Sequence, residues 1–281
     1  MNIVACCKVT PDPRDIEVKA DGSVSLDKAQ WIVGEYDLRA LEAAVRLVET
    51  VGGKVMALSA GPHRINSSSI KKDILSRGPH ELYLVVDEAL EKADTNLTAR
   101  VLAAAIKKIG SYDLVLCGEG SSDLYFQQVG LQLGELLGVP TINFISRIEM
   151  ADGKLTVERS LEEEVEVLDI PLPAVIAVTA DINQPRLPTM KEILKAAKKP
   201  VVEWSLKDLP LSGEIKPSIR VLRMCSSTQV NLNQVIMFPI LLMLEMRRSS
   251  KLSNRKQIIM NGSTEEAVRA LVDYLTKEGV L

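Results

Sequence analysis

The sequence predicts an α/β protein built on an open, mostly parallel sheet with helices on both faces, and three observations carry that expectation. Short β-branched runs alternate with longer segments of helical period over the first two-thirds of the chain. The strand-like runs end in turn-forming residues, as at Gly61-Pro62 and Gly118-Glu119-Gly120. Beyond Phe144 the pattern changes, and Ala151-Asp152-Gly153 gives a hairpin signal. Repeated strand–helix–strand units of this length imply parallel pairing, whereas a hairpin implies an antiparallel extension.

The elements follow in order. Ile3–Lys8 reads as a buried strand, and Leu38, Leu41, Val45 and Val48 then repeat at helical spacing. Val55–Ser59 is a second strand, Ile65–Ser76 a helix, and Leu82–Val86 a third strand. Thr95 is placed to cap a helix with Leu97, Val101, Ala105 and Ile109 on one face. Leu114–Cys117 is a fourth strand, followed by a Gly/Ser-rich turn and a helix from Asp123 to Leu137. Pro140-Thr141-Ile142 opens a further strand, and Arg147–Met150, Lys154–Glu158, Val165–Leu168 and Ala174–Thr179 read as an antiparallel addition to the sheet. Pro185 and Pro188 precede a Lys-rich helix, Lys191–Lys199. Residues 207–256 show no steady period and read as an arm, and Ser263-Thr264-Glu265-Glu266 caps a final amphipathic helix. The expected division is therefore a sheet domain over residues 1–206 and an arm and helix over 207–281.

Composition narrows the function. Net charge is −3 and aromatic residues are 4%, so neither a basic field for nucleic acid nor an array of stacking rings is present. The four cysteines (Cys6, Cys7, Cys117, Cys225) lack C-x-x-C spacing and read as buried thiols of a reducing cytosol. His63 and His80 are the only histidines, which excludes a multi-histidine metal centre. The N-terminus lacks the pattern of a signal peptide. Val235–Leu244, the most apolar stretch, falls short of the ~20 residues that span a bilayer. A cytoplasmic protein is expected.

The segment Cys117-Gly118-Glu119-Gly120-Ser121-Ser122-Asp123, leading to Gln127-Gln128-Val129, is the most informative. Small residues between a strand and a helix let backbone N–H groups approach an anion, and the helix N-terminus favours negative charge. Open parallel sheets bind ligands at the carboxyl ends of their strands. Cys6-Cys7-Lys8 and Ser59-Ala60-Gly61-Pro62 would reach the same edge, so three strand ends could converge on one nucleotide. The alternative is an ordinary strand–helix turn with Asp123 as its N-cap. The segment is neither G-x-x-x-x-G-K-[ST] nor G-x-G-x-x-G. Cys117 could be an activated thiol, or simply a small buried residue.

Several blocks, in order, resemble the beta subunit of electron-transfer flavoproteins: Asn2–Asp12, Asp37–Leu47, Ser59–Pro62, Ser76–Pro79, Cys117–Gly130 and Ala180–Pro200. The G-S-S-D-L-Y-x-Q-Q-V-G form is similar to the branch associated with nitrogen fixation and carnitine metabolism. The resemblance implies an adenine nucleotide alpha-hydrolase-like sheet and a heterodimer with an alpha subunit that carries FAD. It implies AMP or a second FAD in the beta subunit, contacted here by Cys6, Lys8, Ala60, Gly118, Gly120, Ser121, Asp123, Gln127, Gln128 and Val129. It also implies electron transfer between dehydrogenases and a downstream acceptor, with bifurcation from NADH in some members.

By the same resemblance, residues 180–199 form a recognition loop for partner dehydrogenases of the acyl-CoA or another flavin type, or for a quinone oxidoreductase. Met190 stands at the anchoring apolar position, with Leu187 and Pro188 beside it; the plain alternative makes Met190 the first core residue of its helix. Two departures stand out. Leu124-Tyr125 replace a second acidic residue common in the family's Gly-rich loop, and the run 235–244 is apolar where the family's arm is polar. The rival classes are a stand-alone adenine-nucleotide enzyme and a structural AMP-binding scaffold. Under the carrier reading no side chain needs to act as acid, base or nucleophile.

Overall fold

In the computed structural model the described residues are 1–151, 153–219, 221 and 224. The expected apolar run 235–244, the final helix with its capping box, Cys225 and the turn residue Asp152 lie outside them. The chain divides into two units, residues 1–16 with 27–221, and residues 17–26 with 222–281. Of the second unit the described part is essentially a small antiparallel hairpin, strands β3 (Glu17–Val18) and β4 (Val24–Ser25).

The first unit begins with β1 (Asn2–Cys6) and β2 (Val9–Pro11); β2 pairs antiparallel with β5 (Trp31–Val33). The chain then runs through α1 (Glu35–Val51), β6 (Lys54–Gly61), α2 (Ser68–Ser76), β7 (Glu81–Val86), α3 (Thr95–Ile109) and β8 (Leu114–Gly118). It continues with α4 (Val129–Leu137), β9 (Thr141–Ala151), β10 (Lys154–Ser160), β11 (Val165–Ile170), β12 (Ala174–Val178), α5 (Met190–Ala196) and β13 (Val201–Trp204).

Nine strands form one sheet in the order β11-β10-β9-β12-β8-β1-β6-β7-β13. Seven, from β9 to β13, are parallel, and β10 pairs antiparallel with both β9 and β11. The fold is thus α/β, with an antiparallel extension at one edge. Two apolar clusters cover the faces. One joins Ile3, Ala5 and Ala57 to the buried side of α1 and α2, and the other joins Val4, Met56 and Leu58 to α3 and α4. Alternation along β1 therefore sends successive side chains to opposite helical layers, as a doubly covered sheet requires.

Four sequence expectations need correction. Ala174–Val178 does not belong to the antiparallel part: β12 lies inside the sheet, parallel to β8 and β9. All five of its residues are buried, which a continuous apolar run allows and an alternating edge strand would not. β9 is one strand across Phe144, whose φ of 60° marks an irregularity in the pairing with β12 rather than an end. The cap of α3 is Asp94, whose side chain accepts from the Leu97 N–H, with Thr95 as the first helical residue. The fourth correction concerns the Gly-rich loop, whose expected helix from Asp123 does not form. The first unit also contains β13, β2 and β5, which have no counterpart among the expected elements. Among the described residues no helix is long and apolar enough to cross a membrane.

Candidate functional site

The chain reverses its direction of travel across the sheet between β1 and β8. From β1 it proceeds to β6 and β7 on one side, while β8 and β12 lie on the other. At such a switch point the loops leaving neighbouring strands diverge and open a crevice at their carboxyl ends. Lys8 follows β1 there, Ala60 lies near the end of β6, and Gly118 closes β8. The three expected strand ends are adjacent.

A buried carboxylate ties two of these ends together. Asp37, in the first turn of α1, accepts from the Lys8 backbone N–H at 2.8 Å and from the Gly118 N–H at 3.1 Å. Burial pushes its carboxyl up to about 6, and the two N–H groups oppose that rise. The close approach needs glycine at 118: a Cβ would lie 2.6 Å from Tyr36 Cβ and 2.8 Å from the Tyr36 carbonyl carbon. Asp37 is absent from the site residues expected from sequence. Its signal is positional, since it falls in phase with the buried stripe Ala40, Leu41, Ala44 and Val48 of α1.

Beyond Gly118 the loop is held by side chains of distant elements. The Lys8 ammonium donates to both Asp123 carboxylate oxygens, at 2.6 and 2.7 Å, and to Ser121 Oγ at 3.2 Å. Burial opposes ionisation of Asp123, but the charge and hydrogen bonds of Lys8 outweigh it and hold the carboxyl below its usual range. Thr10 Oγ1 and Ser122 Oγ are 3.1 Å apart. Tyr125 donates to Glu119 Oε1 at 2.8 Å, and its ring centroid is 5.2 Å from that of Tyr36. That ring covers Gly120, where a Cβ would stand 2.5 Å from it.

These contacts explain why the expected helix from Asp123 does not form. Tyr125 and Gln127 take left-handed backbone, with φ of 49° and 56°, and α4 starts only at Val129 with Gln128 at its N-cap. A bulky residue adopts that conformation when tertiary contacts fix it. Asp123 is accordingly no helix cap; its carboxylate belongs to Lys8. Gln128 instead accepts from Thr95 Oγ1 at 2.9 Å, fastening the end of the loop to α3.

The cysteines beneath the site are buried and free of disulfides. The Cys6 thiol is raised well above its ordinary range by its hydrogen bond with Cys117 and by burial, and burial likewise raises Cys7. Raised thiols carry little thiolate, and Cys117 itself is a small buried residue at the end of β8. Among the described residues no group of three histidine, cysteine or acidic side chains could hold a metal ion. Beside these strand ends stand the Lys8 ammonium, the hydroxyls of Thr10, Ser121 and Ser122 and the Asp123 carboxylate. Hydroxyls and an ammonium can bind a phosphate, and a carboxylate can accept from a sugar hydroxyl.

A second assembly surrounds the segment before α5. Arg186 donates to Glu42 Oε2 through Nε at 2.7 Å and to Glu49 through Nη1 and Nη2 at 2.7 and 2.9 Å. Its backbone N–H also reaches Glu42, at 3.2 Å, and its carbonyl accepts from Arg77 at 3.0 Å. Arg39 and Asn183 exchange hydrogen bonds, and Arg46 donates to the Gln184 carbonyl. The guanidinium groups of Arg39 and Arg46 on α1, and of Arg77 just after α2, thus satisfy the backbone of a segment that pairs with no strand. Thr189 caps α5 in a reciprocal box with Glu192.

On this anchored arm Leu187, Met190 and Leu194 are 86%, 74% and 69% exposed. Met190 is therefore not the first core residue of its helix, and Pro188 is half-buried beside it. Arg186 gives no sign of its role in the sequence, because its two partners lie seven residues apart on a distant helix.

Residues 22–209 match the family model described as the electron transfer flavoprotein domain.

Proposed function

Since this chain belongs to the electron transfer flavoprotein family, we propose that it is the beta subunit of a heterodimeric carrier passing electrons between flavin dehydrogenases and a downstream acceptor. The observation that carries the reading is the meeting of Lys8, Ser121 and Asp123 beside the ends of β1 and β8, where the strand order reverses. Lys8 and the Ser121 hydroxyl would hold the phosphate of AMP or of a second FAD, and Asp123 would turn to a ribose hydroxyl. Cys6, Ala60, Gly118, Gly120 and Val129 would line the site through small groups and backbone, with Gln127 and Gln128 donating amide hydrogen bonds. FAD, when bound, supplies the redox chemistry by accepting electrons singly or in pairs.

The protein's own part is binding and orientation. Asp37 fixes the backbone of both strand ends, so that a nucleotide meets a crevice set in advance. The alpha subunit would hold the FAD that exchanges electrons with dehydrogenases. The arm with Leu187, Pro188 and Met190 would dock the partner, of the acyl-CoA or another flavin type or a quinone oxidoreductase. Residues 207–281 would grip the alpha subunit beside the domain formed by residues 1–206. The G-S-S-D-L-Y-F-Q-Q-V-G segment supports the branch associated with nitrogen fixation and carnitine metabolism, working in the cytoplasm.

The test is to purify the complex with its alpha subunit, release nucleotides with acid, and count FAD and AMP per heterodimer. Two FAD favour a bifurcating carrier, and one FAD with one AMP makes this subunit's nucleotide structural. A complex with no flavin that turns over ATP would overturn the proposal in favour of a stand-alone enzyme.

A further inference from the structure

The loop beyond Gly118 carries an aromatic ring that neither the apolar core nor the phosphate donors account for. Tyr125 takes left-handed backbone, with φ of 49°, which a bulky residue keeps only where surrounding contacts fix it. Its hydroxyl donates to Glu119 Oε1 at 2.8 Å, its ring lies 5.2 Å from that of Tyr36, and its N–H donates to the Ser121 carbonyl at 3.0 Å. The side chain is nevertheless open: Tyr125 is 43% exposed, between Leu124 at 42% and Phe126 at 52%. Aromatic residues are only 4% of the chain, yet Tyr125 and Phe126 stand on this loop and Tyr36 against it. The charged cluster is next to them. Ser121, which accepts from the Tyr125 N–H, has its hydroxyl 3.2 Å from the Lys8 ammonium. Tyr36 immediately precedes Asp37, which accepts from the Lys8 and Gly118 N–H groups.

From this arrangement, and resting on the nucleotide reading of the same strand ends, we infer that Tyr125, backed by Tyr36, is the ring on which the aromatic system of the bound nucleotide stacks. A half-open ring four residues from Ser121 suits a flat ligand group whose phosphate sits on Lys8. Stacking needs a π-face and not a particular base, so adenine and isoalloxazine share this chemistry. Glu119 orients the ring by holding its hydroxyl. Gly120 serves the same end, because a Cβ there would stand 2.5 Å from the ring and displace it. A partner protein over the three exposed side chains fits less well. Tyr125 is oriented through a polar group beside a cation, which suits a phosphorylated ligand better than an apolar patch.

The experiment titrates AMP and FAD separately, by calorimetry, into the full chain assembled with its FAD-loaded alpha subunit and freed of nucleotide at this site. Tyr125→Leu is expected to weaken binding about tenfold, the loss of one base–aromatic stack. Tyr125→Phe keeps the ring and should recover most of that loss. Both variants should unfold near the wild-type midpoint, since Tyr125 belongs to neither apolar cluster. A loss for both nucleotides assigns the stack to adenine, and a loss for FAD alone assigns it to the isoalloxazine. If Tyr125→Phe binds as weakly as Tyr125→Leu, the hydroxyl and not the ring matters, and the proposal falls. If Tyr125→Leu binds both nucleotides like the wild type while Lys8→Met binds them weakly, stacking falls and the nucleotide site stands. If Lys8→Met also binds like the wild type, the nucleotide reading falls as well. Unchanged nucleotide affinity with weaker association of the two subunits in Tyr125→Leu would assign the loop to a protein interface and overturn the proposal.

Discussion

The ammonium of Lys8 lies 2.6 and 2.7 Å from the two carboxylate oxygens of Asp123, joining residues 115 positions apart across the carboxyl edge of the sheet. The Lys8 side chain is 44% exposed, and an ion pair so open to water contributes at most about 1 kcal/mol to stability. On the proposed function, the ion pair also holds a cation ready for a phosphate. In Lys8→Met the melting temperature should change little. A charge-assisted hydrogen bond contributes about 1.5–3 kcal/mol to binding, so nucleotide retained by the alpha–beta complex should fall by roughly one to two orders of magnitude in affinity. Full nucleotide content in the variant would remove Lys8 from the site.

Asp37 predicts a pH dependence. Its carboxyl is raised in the folded protein to about 6, whereas the unfolded chain has the ordinary value of 3.8. The native state therefore binds the proton more tightly, and this contribution to stability is complete below the unfolded value. It is lost as pH rises from about 4 to 6, after which it is flat. The loss is at most about 3 kcal/mol, since each tenfold difference in proton affinity between the two states corresponds to about 1.4 kcal/mol. Asp37→Asn cannot titrate, so urea unfolding between pH 4 and 7 should lack this fall. The variant should also be less stable at neutral pH by about 1–3 kcal/mol, because one of the two N–H donors loses its acceptor. An unchanged slope in the variant would show that another group titrates.

How much of the fold and site is legible in the sequence depends on the range of the forces involved. The strands β1, β6, β7 and β8 are legible because each is a run of apolar residues closed by turn chemistry, both local properties. The inner position of β12 is not, since Ala-Val-Ile-Ala-Val says that both faces are buried but not between which neighbours. β13 escapes notice because Val201–Trp204 is four residues long and gains its place from pairing with β7. The Gly-rich loop is located by its composition, yet its continuation as helix is wrong. Its path is set by Tyr36, Thr10 and Lys8, none of them near in sequence. Arg186 has no local signal, because its partners lie 144 and 137 residues away.

The two glycines of the loop should respond differently to alanine. At Gly118 the new Cβ would meet Tyr36 at 2.6 Å and its backbone at 2.8 Å, so α1 and β8 must separate. Overpacking against backbone costs about 1–3 kcal/mol, and Gly118→Ala should lower the unfolding midpoint in urea. At Gly120 the obstacle is the Tyr125 ring, which faces solvent and can swing aside. Gly120→Ala should unfold near the wild-type midpoint but bind nucleotide more weakly, as measured by calorimetry with the assembled complex. Equal loss of stability in both would mean that Tyr125 is fixed as firmly as the helix.

Arg186 should prove to be the residue on which the segment before α5 depends, and its two carboxylate partners should not count equally. Glu42 has a side chain only 3% exposed, whereas that of Glu49 is 55% exposed. Burial raises Glu42, but hydrogen bonds from Arg186 and Arg46 outweigh it and hold the carboxyl below the usual range. Its contribution is thus present above the unfolded value of 4.5 and is lost as pH falls through the lower folded value. Removing one partner of a buried pair costs about 3–5 kcal/mol, and Arg46 still faces Glu42, so Arg186→Met should cost somewhat less, about 2–3 kcal/mol. Glu49→Gln should cost under about 1 kcal/mol. Amide exchange should separate the arm from the whole: residues 183–189 should lose protection in Arg186→Met while β1 and β8 keep theirs. If the arm keeps its protection, it is held by the contacts that survive the substitution, Asn183–Arg39, Gln184–Arg46 and Arg77 to the carbonyl of residue 186, and the Arg186 side chain is a surface ion pair.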